Sequence, residues 1–376
     1  MPPPAPPRSA RMRVVLLAAA ALGAATLSHA QAPSPFSSTT GSPRPWPAKA
    51  EVDSRTIEVE TAPPPAEGQP HVYRSANFEF VADEKLAGSV LKEIARTFEA
   101  TRALLHALPW GLEPHPPGAS DRYRARFYSR YEDYLREGGP PNTSGYYSSS
   151  DRLFRVPFAS LGLELRGKTW FKHQEYENDT LVHEITHQLL HDYLPFLPGW
   201  VIEGTAEYTE MLPYAGGRFL SGSHQRAIKQ YVEEAGRRGV RPATLGKLAD
   251  HLRATRGDWA EAMALGGTTQ FQRYFAACLL VYYFSHLDGD GRGTRFLAYL
   301  GRIRDARNDW GAFFRDPRIT WNPDGSFTYP SDFALPAQSL DETFGLEQLA
   351  LLLDGRDPDQ LQKDIVAAFR KIGVRW

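Results

Sequence analysis

The sequence predicts an α+β fold, a small mixed sheet with helices followed by a mainly helical half. Two observations carry this expectation. Segments that alternate like strands fall between residues 77 and 158, and from residue 178 almost every segment has helical period. The 376-residue chain is 42% hydrophobic with a formal charge of −1, enough for a sizeable core and with no global basic field for nucleic acid or an anionic membrane. Its one cysteine, Cys278, excludes an intrachain disulfide framework and cysteine-based zinc knuckles, and its apolar setting makes it a small buried hydrophobe.

The elements follow in order. Arg8, Arg11 and Arg13 precede the apolar run 14–25, and Ser28-His29-Ala30 follows it. A positive segment, a short apolar run and small residues read as a signal peptide, residues 1–30, cut after Ala30. Removing those three arginines leaves 40 basic against 44 acidic side chains, net −4. The expected location is therefore secreted or periplasmic, with no stable membrane insertion after cleavage and a monomeric chain. Residues 31–70 hold nine prolines and only Phe36 and Trp46 as aromatics, so they read as a flexible tether, with the fold starting near His71.

Within 71–195 the pattern predicts a strand at 77–81, a helix over 83–108 stopped by Pro109, and a strand at 124–128. A short helix at 130–137, a turn at 138–141 and strands at 145–148 and 153–158 follow. Residues 196–376 form a helical lobe broken by Gly/Pro loops near 213–217, 239–242, 265–268 and 316–337. Asp288-Gly289-Asp290 begins like a calcium loop, but Arg292 and Tyr299 stand where oxygen ligands are needed, so it reads as a helix–helix turn.

The chemistry concentrates in Asn178–Leu190. Leu181, Ile185 and Leu189 recur every four residues and define a helix, capped by Asn178 or Asp179. His183 and His187 then project from one face about 6 Å apart in rise and can reach one metal. Glu184, offset around the helix, suits a base acting on water. This is the H-E-x-x-H arrangement of zinc peptidases. His191 lies about 12 Å along the helix from His183 and reads as a last-turn residue near the helix dipole. Position 193 is Tyr, so a metzincin-type third histidine is absent. Downstream, Trp200–Tyr208 reads as a second helix with Glu203 and Glu207 on one face, and Gly204 and Ala206 leave little bulk for its approach to the histidine helix. Glu203 would complete a His₂Glu site with an open fourth position, and Glu207 could accept a hydrogen bond from the far nitrogen of a ligand histidine.

His183-Glu184-x-x-His187 followed by Glu203-Gly204-x-Ala206-Glu207-Tyr208 resembles the gluzincin (peptidase MA) clan, and within it an uncharacterised bacterial exported family. The resemblance is strong over 178–210 and weaker over about 75–300. It implies a zincin-like fold, one Zn²⁺ held by His183, His187 and Glu203, Glu184 as catalytic base, Glu207 as an acid behind the ligands, and a peptide or protein substrate. Gly145-Tyr146-Tyr147 and 153–158 resemble the clan's substrate-edge region. Gluzincins commonly add a Tyr or His donor for the oxyanion, here from Tyr208, Tyr214, His224, His251, Tyr274, Tyr282 or Tyr283. Tyr274 is the choice, because it follows the Gly266-Gly267 loop and is expected to open a helix over 274–284, whereas Tyr282 and Tyr283 lie in an apolar run. The expected function is an exported zinc-dependent peptidase. The alternative is a non-catalytic exported module of the same fold that binds a protein or cell-wall partner.

Overall fold

A computed structural model describes residues 44–376 apart from 54, 64–65, 117–120, 174–175, 177 and 323–326. The expected signal peptide and its cleavage site lie outside the described residues. The strands are β1 (Ala50–Glu51), β2 (Glu60–Thr61), β3 (His71–Arg74), β4 (Phe78–Ala82), β5 (Tyr123–Tyr128), β6 (Tyr146–Ser148), β7 (Leu153–Pro157), β8 (Leu163–Arg166), β9 (Thr169–Lys172), β10 (Tyr214–Ala215), β11 (Arg218–Phe219), β12 (Thr320–Trp321) and β13 (Phe327–Thr328). The helices are α1 (Gly88–Ala107), α2 (Tyr131–Arg136), α3 (Asp179–Leu189), α4 (Gly199–Met211), α5 (His224–Arg237), α6 (Leu248–His251), α7 (Arg256–Leu265), α8 (Gly267–His286), α9 (Thr294–Phe314), α10 (Glu342–Glu347), α11 (Leu349–Leu353) and α12 (Pro358–Lys371).

The architecture is mixed, with one six-stranded sheet in the order β2-β3-β4-β5-β7-β6 and helices through the second half. The pairs β4–β5 and β5–β7 are parallel and the rest of that sheet is antiparallel, which leaves β6 as an edge strand. Alternation in β4 sends Phe78 and Phe80 to the core, where the Phe98 ring of α1 meets them edge-on at 5.1 and 5.0 Å. Phe127 and Phe154 complete this aromatic layer. Helix α3 packs against α1 and the sheet on one side and α4 on the other, so the H-E-x-x-H segment lies at the seam between sheet and helices. Gln188 Nε2 donates to the Arg124 carbonyl of β5 at 2.7 Å and fixes α3 on the sheet.

Several expectations need correction. The tether reading of 31–70 fails for its described part. Trp46 lies 4.3 Å from the His286 ring and donates to the Arg292 carbonyl, β1 pairs with β11, and β2 extends the main sheet. The segment gains sheet bonds and burial of Ala50 and Ile57 against partners built elsewhere, which its own composition does not reveal. Helix α1 begins at Gly88, not 83. The 213–217 loop forms the first strand and turn of the β10–β11 hairpin, and the 316–337 loop contains the β12–β13 hairpin.

Gly204 does not face the histidine helix. A Cβ there would stand 2.5 Å from the Ala277 carbonyl oxygen, so glycine permits the close α4–α8 packing instead. Cys278 is buried in α8, as expected. The Asp288 turn between α8 and α9 is held by Arg295 and Arg356, whose guanidiniums take the carboxylate oxygens that a cation would need. Among the described residues no helix is long and apolar enough to cross a membrane.

Candidate metal centre

Helix α3 carries His183, Glu184 and His187, all buried, and α4 carries Glu203 opposite them. Asn178 occupies the N-cap position, but its side-chain oxygen accepts from Lys172 Nζ rather than from the helix, so the expected side-chain cap is not made. The two helices are tied by a hydrogen bond of 2.7 Å between the Thr186 and Thr209 hydroxyls. Across this seam Glu203 Oε2 stands 3.2 Å from His183 Nε2 and 3.4 Å from His187 Nε2. Donors at 2.0–2.1 Å from a tetrahedral ion lie about 3.4 Å apart, so the spacing of this triad fits one such ion.

Two further observations agree with that fit. His187 Nε2 and Glu184 Oε2 are buried polar atoms without a hydrogen-bond partner, although the first is close to Glu203. Unsatisfied buried polar atoms are costly, and a cation and a water between them would satisfy both. The Tyr147 backbone N–H, on edge strand β6, donates to the Glu184 carboxylate and leaves Oε2 for other chemistry.

Electrostatics separate the carboxylates. Burial raises the Glu184 pKa, against the pull of His187 and His183, which suits a group that must take up a proton. Burial acts the same way on Glu203, but His187 and His183 overcome it and hold Glu203 at about 2. Burial alone would lower the His183 pKa. Glu203, Glu210 and Glu207 outweigh it and hold that imidazole well above its ordinary value.

The structure brings His183, Glu184, His187, Glu203 and Glu207 together. It also brings in Glu210, which the sequence reading stopped short of. Glu210 Oε2 lies 3.0 Å from His183 Nδ1, against 3.5 Å for Glu207 Oε1. Glu203, Glu207 and Glu210 are spaced i, i+4, i+7, so extending the second helix by one turn would have placed all three on one face. Tyr231, on α5, donates to Glu207 Oε2, and no local sequence signal announces it.

Tyr274 lies two turns inside α8 rather than at its start, because only Gly266, at φ +63°, interrupts α7 and α8. Its ring centroid stands 6.1 Å from that of His183, edge to face. The other oxyanion candidates make hydrogen bonds away from His183 and His187. Tyr208 and His286 share a 2.8 Å hydrogen bond, as do Tyr214 and Thr97 at 3.1 Å and His224 and Tyr282 at 3.1 Å. Tyr283 donates to Asp288, and His251 Nε2 meets the Leu245 carbonyl.

The dipole role expected of His191 is also corrected. It opens a separate 3₁₀ turn, meets the Tyr147 hydroxyl at 2.8 Å, and is pushed down to about 4 by burial, so it is neutral.

The chain matches no protein-family model and no curated protein.

Proposed function

We propose that this chain is an exported zinc-dependent peptidase of gluzincin type with a zincin-like fold, secreted or periplasmic and monomeric. The observation that carries the reading is the pairing of a His183–His187–Glu203 triad at tetrahedral spacing with a buried Glu184 oxygen that has no partner. His183, His187 and Glu203 would hold the ion. Zinc bound there supplies Lewis-acid polarisation of a scissile carbonyl and acidifies water.

The chain's own residues account for the remaining steps. Glu184 Oε2 accepts the proton of the attacking water and returns it to the leaving amine, while Tyr147 N–H steadies the carboxylate. Tyr274, beside His183, donates its hydroxyl to the developing oxyanion. Edge strand β6, next to Glu184, gives an extended peptide backbone a strand to pair with.

One observation favours the rival reading, a non-catalytic exported module for a protein or wall partner. Even the most open ligand side chain, His187, is only 7% exposed. Digestion of a peptide library by wild type and Glu184→Gln separates the two. The variant should keep its zinc and lose activity by about 10²–10⁴-fold. Full activity in the variant removes Glu184 as the base, and no cleavage by zinc-loaded wild type favours the module.

A further inference from the structure

We propose that Glu210, rather than Glu207, is the positioning residue that fixes the His183 imidazole for coordination, while Tyr231 holds Glu207 off that task. The inference rests on the metal-centre reading above.

An imidazole that ligates through Nε2 carries its single hydrogen on Nδ1, so it can make one strong hydrogen bond on its far side. Two carboxylates compete for that hydrogen. Glu210 Oε2 meets it at 3.0 Å with hydrogen-bond geometry. Glu207 Oε1 lies at 3.5 Å, and its other oxygen accepts the Tyr231 hydroxyl. Burial raises the Tyr231 pKa well above its ordinary value, so the phenol stays protonated and keeps donating.

The register of the two helices selects the same residue. The Thr186–Thr209 hydroxyl pair clamps α3 to α4 one residue before Glu210. The Glu210 side chain is 6% exposed, so its charge acts on His183 with little screening by water. A carboxylate accepting from Nδ1–H locks the ring orientation and makes Nε2 more basic towards a metal. Glu207 keeps a different task, tying α5 to the back of the site through Tyr231.

Zinc affinity, read by competition with a chromophoric chelator, tests this without reference to activity. Glu210→Gln keeps the side-chain shape and should weaken zinc binding about 10- to 100-fold, whereas Glu207→Gln should stay within about threefold, below the usual effect of such partners. In zinc-loaded protein labelled with ¹⁵N-histidine, the His183 Nδ1–H resonance should move in Glu210→Gln and hold its place in Glu207→Gln. That signature does not respond to a merely structural loss. The opposite ranking of the two variants overturns the inference. A second zinc equivalent that Glu210→Gln alone removes also overturns it, because His183, Glu207 and Glu210 would then be a metal site themselves. Loss of zinc in Glu203→Ala with no effect of Glu210→Gln sinks this inference and leaves the proposed function standing. A wild type that takes up no zinc overturns both.

Discussion

Among the described residues, two histidine pairs are served by α4 from its two sides. His183 and His187 meet edge to face with ring centroids 4.8 Å apart, and His224 and His286 stack at 3.8 Å. The first pair receives Glu203, Glu207 and Glu210 from α4, and the second receives the Tyr208 hydroxyl from the same helix. Burial lowers both members of the second pair, His286 far below its ordinary value with His224 adding to the effect. At His183 three carboxylates reverse the same burial effect. Two imidazoles in contact are therefore not in themselves a metal site. What the neighbouring helix presents decides whether an imidazole of the pair is held charged, as His183 is, or neutral, as His286 is.

The largest effect should come from deleting the carboxylate that distinguishes the pairs. Glu203→Ala should abolish retained zinc and peptide cleavage, while Tyr208→Phe, which touches the other pair, should keep one zinc per chain by metal analysis. Zinc retained in Glu203→Ala would show that the triad is not the site.

A smaller effect should separate two phenols that each lie beside a histidine of one pair, Tyr274 beside His183 and Tyr282 beside His224. Tyr274→Phe should lower turnover by about 10²-fold, the order expected for one oxyanion donor, and Tyr282→Phe should leave it within about threefold. A Tyr274→Phe rate within threefold of wild type removes Tyr274 from the mechanism.

The pH dependence of the metal-free protein should have opposite signs at the two pairs. The raised His183 pKa contributes stability that is complete below the unfolded value of about 6.5 and lost as pH rises through the folded value. The lowered His286 pKa works the other way, and stability falls as pH drops below about 6.5 towards the folded value. Thermal melts from acid to alkaline pH should show His183→Phe flattening the alkaline limb and His286→Phe the acid limb. Both substitutions altering the same limb would break the comparison.

The same contrast shows what a sequence can reveal. His183, His187, Glu184, Glu203 and Glu207 lie on two helices with local spacing rules, so their faces follow from the 3.6-residue period. Glu210 obeys that rule as well, two residues past Tyr208. The docking of Trp46 on the Arg292 carbonyl and of Ala50 beside Phe219 depends on partners more than a hundred residues away. Tyr231 meets Glu207 only because α5 packs on α4, and Gly204 serves α8 because of helix packing that local spacing cannot rank. His191 was legible as polar and close to the motif, but its partner, Tyr147, comes from an edge strand whose position the sheet decides.

Zinc K-edge absorption of the loaded full chain bears most directly on the central claim, that the carboxylate-flanked pair is a metal centre. One zinc per chain is predicted in a four-coordinate shell of two imidazole nitrogens and oxygen ligands at about 2.0–2.1 Å. A six-oxygen shell, or no zinc retained after desalting, would contradict it.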